Sequence, residues 1–200
     1  MQLDSRQHPA QRAPGGSRQH ELVTHDARAD VAIAAAFALA TIATRLPFRS
    51  HRVFNWDAVN FVLALRDYDV RLHHPHPPGY PIFVAMGRVA QLVIPDGNNA
   101  LVAVAMLLSA GAVAALFLLG RELFGRTTGI IAALYLLFSV TFWTNGAVAL
   151  AYPSLALFTT LVALFAWRCR CDGRTVPLWT LLALSAAYAI GGGFRPDLLL

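Results

Sequence analysis

The sequence contains no lysine: all sixteen of its Lys+Arg positions are arginine. A base-composition bias of the genome suffices to produce that, so it carries no functional inference. Cysteine is nearly absent too. The two that occur, Cys169 and Cys171, stand as Cys-Arg-Cys. A zinc knuckle needs wider spacing and a second pair, so they read as free thiols on the cytoplasmic side. Charge of either sign is scarce, at 14% of residues where a soluble domain carries about 25%. The balance that remains is basic, +5 with a pI near 9.9. Nucleic acid is nevertheless excluded as a partner, because there is no interleaving of aromatic and basic residues of the kind that stacks bases. The arginines instead fall between apolar blocks, as membrane proteins distribute them. Also missing is an apolar core directly behind a short basic start, which excludes a signal peptide.

What the chain does have is long apolar runs: 56% of residues are hydrophobic and the mean hydropathy is +0.52. Residues 1–29 are polar and rich in Arg, Gln, Pro and Gly, and read as a disordered cytoplasmic tail. Five blocks follow: Val31–Phe48, broken near its end by Arg45, then Ala100–Gly120, Thr127–Gly146, Ala147–Trp167 and Leu178–Phe194, the last meeting Arg195. At ~1.5 Å per residue each is long enough, or nearly so, for a hydrocarbon core of ~30 Å. The blocks do not alternate, so their backbone groups are satisfied as helices rather than as a barrel. The expected fold is therefore all-α: a polytopic membrane bundle of about five transmembrane helices over residues 30–200. Because the sequence stops within "DLLL", that domain is expected to be incomplete at its C-terminus.

Arginine placement orients the bundle. The short loops at Arg121 and Arg126 and at Arg168, Arg170 and Arg174 are basic, whereas the turn near Asn145 is uncharged. That favours a cytoplasmic N-terminus in a multi-pass protein of the cell membrane, and makes 49–99 one long external loop. The loop holds Asp57, Asp67, Asp69 and Asp96, together with "HHPHPPGYPIF", in which His73, His74 and His76 stand among four prolines.

Within the loop, "FNWDAVNFVLALRDYDV" reads as a short amphipathic helix on the membrane surface, capped by Asn55, with Val59, Val62, Leu63 and Arg66 recurring on one face. Trp56, Phe61 and Tyr68 suit the headgroup zone. Asp57 falls in the first turn, where the helix dipole favours a negative charge. It reads either as an ordinary first-turn acid or as a general base. The tract around Pro77 and Pro78 cannot continue a helix, Gly79 permits a tight approach, and a second surface helix can start at Pro81. This makes a rigid corner able to bring His76 back towards Asp57. Three histidines on an extended segment point in alternating directions, so joint metal ligation by all three is not expected. One histidine sharing a divalent ion with an aspartate stays open.

The stretch "NWDAVNFVLALRDYDVRLHHPHPPGYPIFVAMGR" resembles the first external loop of polytopic GT-C glycosyltransferases, closest to the protein O-mannosyltransferase-like branch, glycosyltransferase family 39 and its relatives. The late "GGGFRPDLLL" is similar to a helix end of the same group. The resemblance is specific over roughly residues 54–88 and diffuse over the apolar blocks. It implies a GT-C-like fold with two surface helices in a catalytic loop, a catalytic acid at Asp57, and a structural corner over Pro77, Pro78, Gly79 and Tyr80. It also implies a donor-phosphate contact at His76, beside which Arg71 and Arg195 are further candidates for the phosphate. Two positions depart from the family pattern: Ala58 follows Asp57 where some relatives carry a second acid, and Pro75 stands where some carry an acid before the prolines. No metal site is therefore carried over and no cofactor is expected with certainty. The partners implied are a polyprenyl-phosphate sugar, membrane lipid, and an acceptor that is protein, lipid or glycan. The expected reaction is transfer of a mannose-like or other hexose to that acceptor outside the cytoplasm, with inversion. The competing expectation is a non-catalytic fragment, an inactive relative, or a transporter or scaffold subunit. Uncharged helices beside a polar external loop argue against a transporter.

Overall fold

The computed structural model describes the backbone of residues 16–170 and 175–195, and side chains from residue 27 onward within them. Most of the expected tail, Cys171, Arg174 and the terminal "DLLL" lie outside the described residues. Among the described residues there are eight α-helices: α1 Gly16–Arg45, α2 Trp56–Arg66, α3 Pro81–Gln91, α4 Gly97–Phe124, α5 Arg126–Phe138, α6 Val140–Asn145, α7 Tyr152–Arg168 and α8 Leu178–Phe194. Among the described residues there is no strand, only one isolated bridge between Asp69 and His74.

Helix α4 is the axis. It starts where Asp96 accepts a hydrogen bond from the Asn99 N–H (2.8 Å) and stops at Gly125, whose φ of 97° suits glycine. It packs against α1, α3, α5 and α7, and α8 closes over α7 and α3. Leu101, Val102, Ala105, Val113 and Phe117 of α4 are buried, as expected of a helix surrounded by others. One core cluster joins α4 to α2, α3, α7 and α8 through Phe61, Phe83, Val84, Phe158 and Phe194; a second joins it to α1 and α5 through Ala34, Ala133 and Leu137.

Among the described residues two helices are long and apolar enough to cross a membrane, over Ala27–Phe48 and Gly97–Phe124; α5 and α8 are apolar but shorter. Two details of the expected bundle need correction. The block Thr127–Gly146 is not one helix, because the chain turns at Ser139 (φ −60°, ψ 117°) and the Ser139 hydroxyl caps α6 at Phe142 N. The block Ala147–Trp167 becomes helical only at Tyr152, where Pro153 stands in the first turn. Helix α1 begins at Gly16, inside the segment whose composition marks a tail.

Arg45, which interrupts the first apolar block, is fully buried. It sits where the carbonyl ends of α1 and α5 meet: its Nη1 donates to Thr41 O (3.3 Å), its Nη2 to Leu137 O (3.5 Å), and its guanidinium lies 5.5 Å from the Phe142 ring centre. A cation at two helix C-termini meets the negative ends of both dipoles and an aromatic face. The opposite end of the bundle carries different ion pairs. Buried Asp30 of α1 meets Arg121 (2.6 Å) and Arg126 (2.8 Å), and Glu122 meets Arg168.

Candidate active site

Helix α2 starts where the backbone turns out of the extended region at Asn55, whose Oδ1 accepts from Ala58 N (2.9 Å). That places Asp57 in the first turn, with its carboxylate 40% exposed. The buried face of α2 differs from the stripe Val59, Val62, Leu63 and Arg66 read from spacing. Ala58, Phe61, Ala64 and Leu65 are buried instead, while Leu63 and Arg66 are exposed. Ala58 and Ala64 are fully buried, and Phe61 makes edge contacts to Phe83 (5.0 Å) and Tyr80 (5.1 Å). The far end of α2 is tied to α3 by Arg88, which donates to Leu65 O (3.0 Å) and Ala64 O (2.9 Å).

Between the two helices the chain makes the expected corner, with cis peptide bonds at His74–Pro75 and Pro77–Pro78. Gly79 N donates to His76 O (3.0 Å), and Tyr68 Oη donates to Gly79 O (3.1 Å). Glycine is required here twice over: φ is 102°, and a Cβ would fall 2.7 Å from the Tyr68 hydroxyl. Tyr80 then caps α3 with left-handed backbone (φ 47°), and Pro81 opens the helix.

The three histidines diverge. His73 ends a short 3-10 turn in left-handed backbone and is exposed; His74 Nδ1 faces Asp67 at 3.7 Å. His76 Nδ1 faces Asp57 Oδ1 at 3.8 Å, an ion-pair separation when the imidazole is protonated but too long for a hydrogen bond. This nitrogen is buried and makes no hydrogen bond; Nε2 lies 3.3 Å from the Tyr80 hydroxyl. Among the described residues no three His, Cys, Asp or Glu side chains converge as metal ligands.

Arg195 comes to the same place from the other end of the sequence. The triple glycine lets α8 lie directly on α3: a Cβ on Gly193 would collide with Ile82 Cδ1 and lie 2.8 Å from its Cγ1. The Arg195 guanidinium carbon is then 4.7 Å from the Tyr152 ring centre and 5.9 Å from that of Tyr80. Asp57, His76, Tyr80, Tyr152, Arg195 and Leu150 thus wall one hollow of about 10 Å3, close to the space one water or one hydroxyl oxygen needs. A carboxylate, an imidazole and a guanidinium line it together. That arrangement can take a proton from a hydroxyl and face negative charge at the same time.

Arg71 does not join this group. Asp69 Oδ1 accepts from Arg71 N (2.8 Å) and fixes the 3-10 turn, and the side chain is exposed, away from the hollow. Pro77 and Pro78 are exposed at the apex of the corner. Sequence reading missed Tyr152, which it placed inside an apolar span. Its only signal was the Tyr-Pro pair, since a proline in the first turn marks a helix beginning there rather than at Ala147.

No curated protein and no solved structure matches the chain. A family profile does, over residues 57–194, from the acid in the first turn of α2 to the last residue of α8, and its description is "Protein O-mannosyl-transferase TMEM260 N-terminal domain". That match takes in α2, the proline corner, α3 and α8, the elements that assemble the hollow, and the chain belongs to this O-mannosyltransferase-like family.

Proposed function

We propose that the chain carries the acid and phosphate-binding groups of a membrane glycosyltransferase of the family 39, GT-C kind. It moves a mannose-like hexose from a polyprenyl-phosphate donor to a hydroxyl of an extracytoplasmic acceptor, with inversion. The bundle spans the membrane five times, with α5 and α6 together as the third span, and the N-terminus is cytoplasmic. The observation that carries this reading is Asp57 Oδ1 facing His76 Nδ1 at 3.8 Å across a hollow that Arg195 also walls.

The acceptor hydroxyl occupies the hollow. Asp57 accepts its proton as the oxygen bonds to the anomeric carbon, and the bond from that carbon to the donor phosphate oxygen breaks with its electron pair going to the phosphate. One displacement without a sugar–enzyme bond inverts the anomeric centre, as in inverting glycosidases. A positioned general base contributes ~10²–10⁴ in rate. His76 and Arg195 face the charge that develops on the leaving phosphate, Arg195 with the fork geometry that suits phosphate oxygens. The lipid carrier explains why these groups stand at the end of a membrane bundle.

The test is transfer of radiolabelled sugar from polyprenyl phosphate in membranes. Asp57→Asn keeps shape and removes the base, so turnover should fall by ~10²-fold or more with donor binding retained. His76→Ala should weaken donor binding as well as turnover. Asp67→Asn, an exposed residue beyond α2, should change little. Near wild-type turnover of Asp57→Asn would remove the catalytic assignment and leave the inactive-relative reading.

A further inference from the structure

A neutral imidazole carries one proton, donating at one ring nitrogen and accepting at the other. In His76 the two nitrogens have different surroundings. Nε2 lies 3.3 Å from the Tyr80 hydroxyl. Nδ1 is buried, makes no hydrogen bond, and faces Asp57 Oδ1 at 3.8 Å. Turning the ring over about Cβ–Cγ would put carbons at both places and leave neither contact. Its faces are also held, with the centre of the Phe61 ring 5.6 Å away and that of the Tyr80 ring 5.1 Å away.

Which nitrogen holds the proton follows from these neighbours. A proton on Nε2, donated to the Tyr80 oxygen, leaves a bare Nδ1 lone pair aimed at a carboxylate. Two acceptors then face each other across a hollow with room for about one oxygen atom. An acceptor hydroxyl placed there has one proton and satisfies only one of them. A proton on Nδ1 removes the conflict: an N–H faces Asp57, and the Tyr80 hydroxyl satisfies Nε2 by donating to it. Tyr80 itself is buried, at 8% exposure, and holds its place at some strain. Its φ of 47° lies in a region that glycine enters freely and a bulky residue rarely, and such strain gathers at functional sites.

We propose that Tyr80 is a positioning residue for His76: its hydroxyl donates to Nε2 and so keeps the proton on Nδ1, which presents an N–H to the hollow. The inference rests on the reading of Asp57 as base and His76 as a donor to the substrates. It deepens that reading by naming the nitrogen that donates and the group that holds its proton there.

The test uses the whole chain in nanodiscs, with a nitrogen isotope label in its histidine rings, at the pH of the transfer assay. Two-bond proton–nitrogen spectra tell a protonated ring nitrogen from a bare one, and the His76 signals are those lost in His76→Gln. The wild type should show a protonated Nδ1 and a bare Nε2. Tyr80→Phe keeps the ring and removes the hydroxyl, so the proton should shift towards Nε2, the form that free histidine prefers in water. Turnover should fall by about threefold to tenfold, what one neutral hydrogen bond contributes, with the melting temperature little changed. In His76→Asn an amide N–H can stand near the Nδ1 place and there is no tautomer to hold. Adding Tyr80→Phe to it should therefore change the remaining turnover by less than about twofold. A wild-type Nε2 that carries a proton, alone or together with Nδ1, overturns the proposal. So does a tautomer indifferent to Tyr80→Phe, or an equal loss of turnover from Tyr80→Phe in both backgrounds. The spectra need no turnover, so the two readings fail separately. Tyr80-dependent protonation of Nδ1 without transfer sinks the reaction alone; Asp57-dependent transfer with the proton on Nε2 sinks the role of Tyr80 alone.

Discussion

The guanidinium of Arg195 rests on the ring of Tyr152, 4.7 Å from its centre, at the start of α7. Tyr80 stands farther off, at 5.9 Å, and its hydroxyl is 3.3 Å from His76 Nε2. The two tyrosines therefore lie between the guanidinium and the imidazole that line the hollow with Asp57. On the function proposed above, Tyr152 acts by positioning Arg195.

The first prediction follows from ring chemistry. Tyr152→Phe keeps the aromatic face and removes only the hydroxyl, so it should leave donor KM within about twofold. Tyr152→Ala removes the face, a contact of about 0.5–1 kcal/mol at an exposed site and about 2 kcal/mol when dry. Donor KM should rise by about threefold to thirtyfold, with thermal stability little changed because the ring is 46% exposed. A purely structural role would instead lower stability in both variants; thermal melting and donor titration separate the two.

The second concerns the helix contact that delivers Arg195. Gly193→Val places branched carbons against Ile82, an overpacking that costs about 1–3 kcal/mol. Helix α8 should shift off α3 and take Arg195 with it, so both melting temperature and donor affinity should fall. Adding Ile82→Ala opens the space and should recover most of both. Recovery of stability without recovery of affinity would mean that Arg195 does not depend on this contact.

How much of this was legible in the sequence varies with the kind of signal. The corner was legible because proline and glycine act locally: Pro81 opens α3, Gly79 takes positive φ, and Asn55 caps α2. So was the meeting of His76 with Asp57, since a short rigid connection leaves few places for the chain to go. The buried face of α2 was not. Alanine scores weakly as an apolar residue, yet Ala58 and Ala64 are among the positions of α2 that are fully buried. The break at Ser139 was hidden because an uncharged run shows no local sign of a turn when a serine both ends one helix and caps the next. Arg71, within the external loop, and Arg195, at an outer helix end, are both phosphate candidates in sequence terms, and only tertiary packing separates them.

The third prediction concerns metal. Asp57 and His76 are the two donors at the hollow, and among the described residues no third ligand converges on them. Two protein donors make a weak, open site for a divalent cation. Transfer measured in excess EDTA should therefore remain within about twofold of the untreated rate. A loss restored by one divalent ion, together with a matching loss in His76→Ala, would replace the phosphate-facing role of His76 with a ligand role.

The fourth concerns the opposite end of the bundle. Asp30 is 4% exposed and faces two arginines, Arg121 at 2.6 Å and Arg126 at 2.8 Å, where α1 meets the connection between α4 and α5. Removing one partner of a buried pair leaves charge without compensation and costs about 3–5 kcal/mol. Here both arginines are more than a third exposed, at 37% and 40%, so water screens them and the lower end of that range applies. Asp30→Asn should therefore lower the melting temperature clearly, and Arg121→Met combined with it should regain part of the loss by removing one of the two stranded charges. Helix α4 starts at Gly97, next to the external loop, and at ~1.5 Å per residue Arg121 lies about 36 Å along it, at the other end of the bundle from that loop. Donor KM should then stay unchanged at temperatures where the variant is folded. A rise in KM at full folding would show that α4 transmits strain between its two ends, and Asp30 would belong to the mechanism rather than to the scaffold.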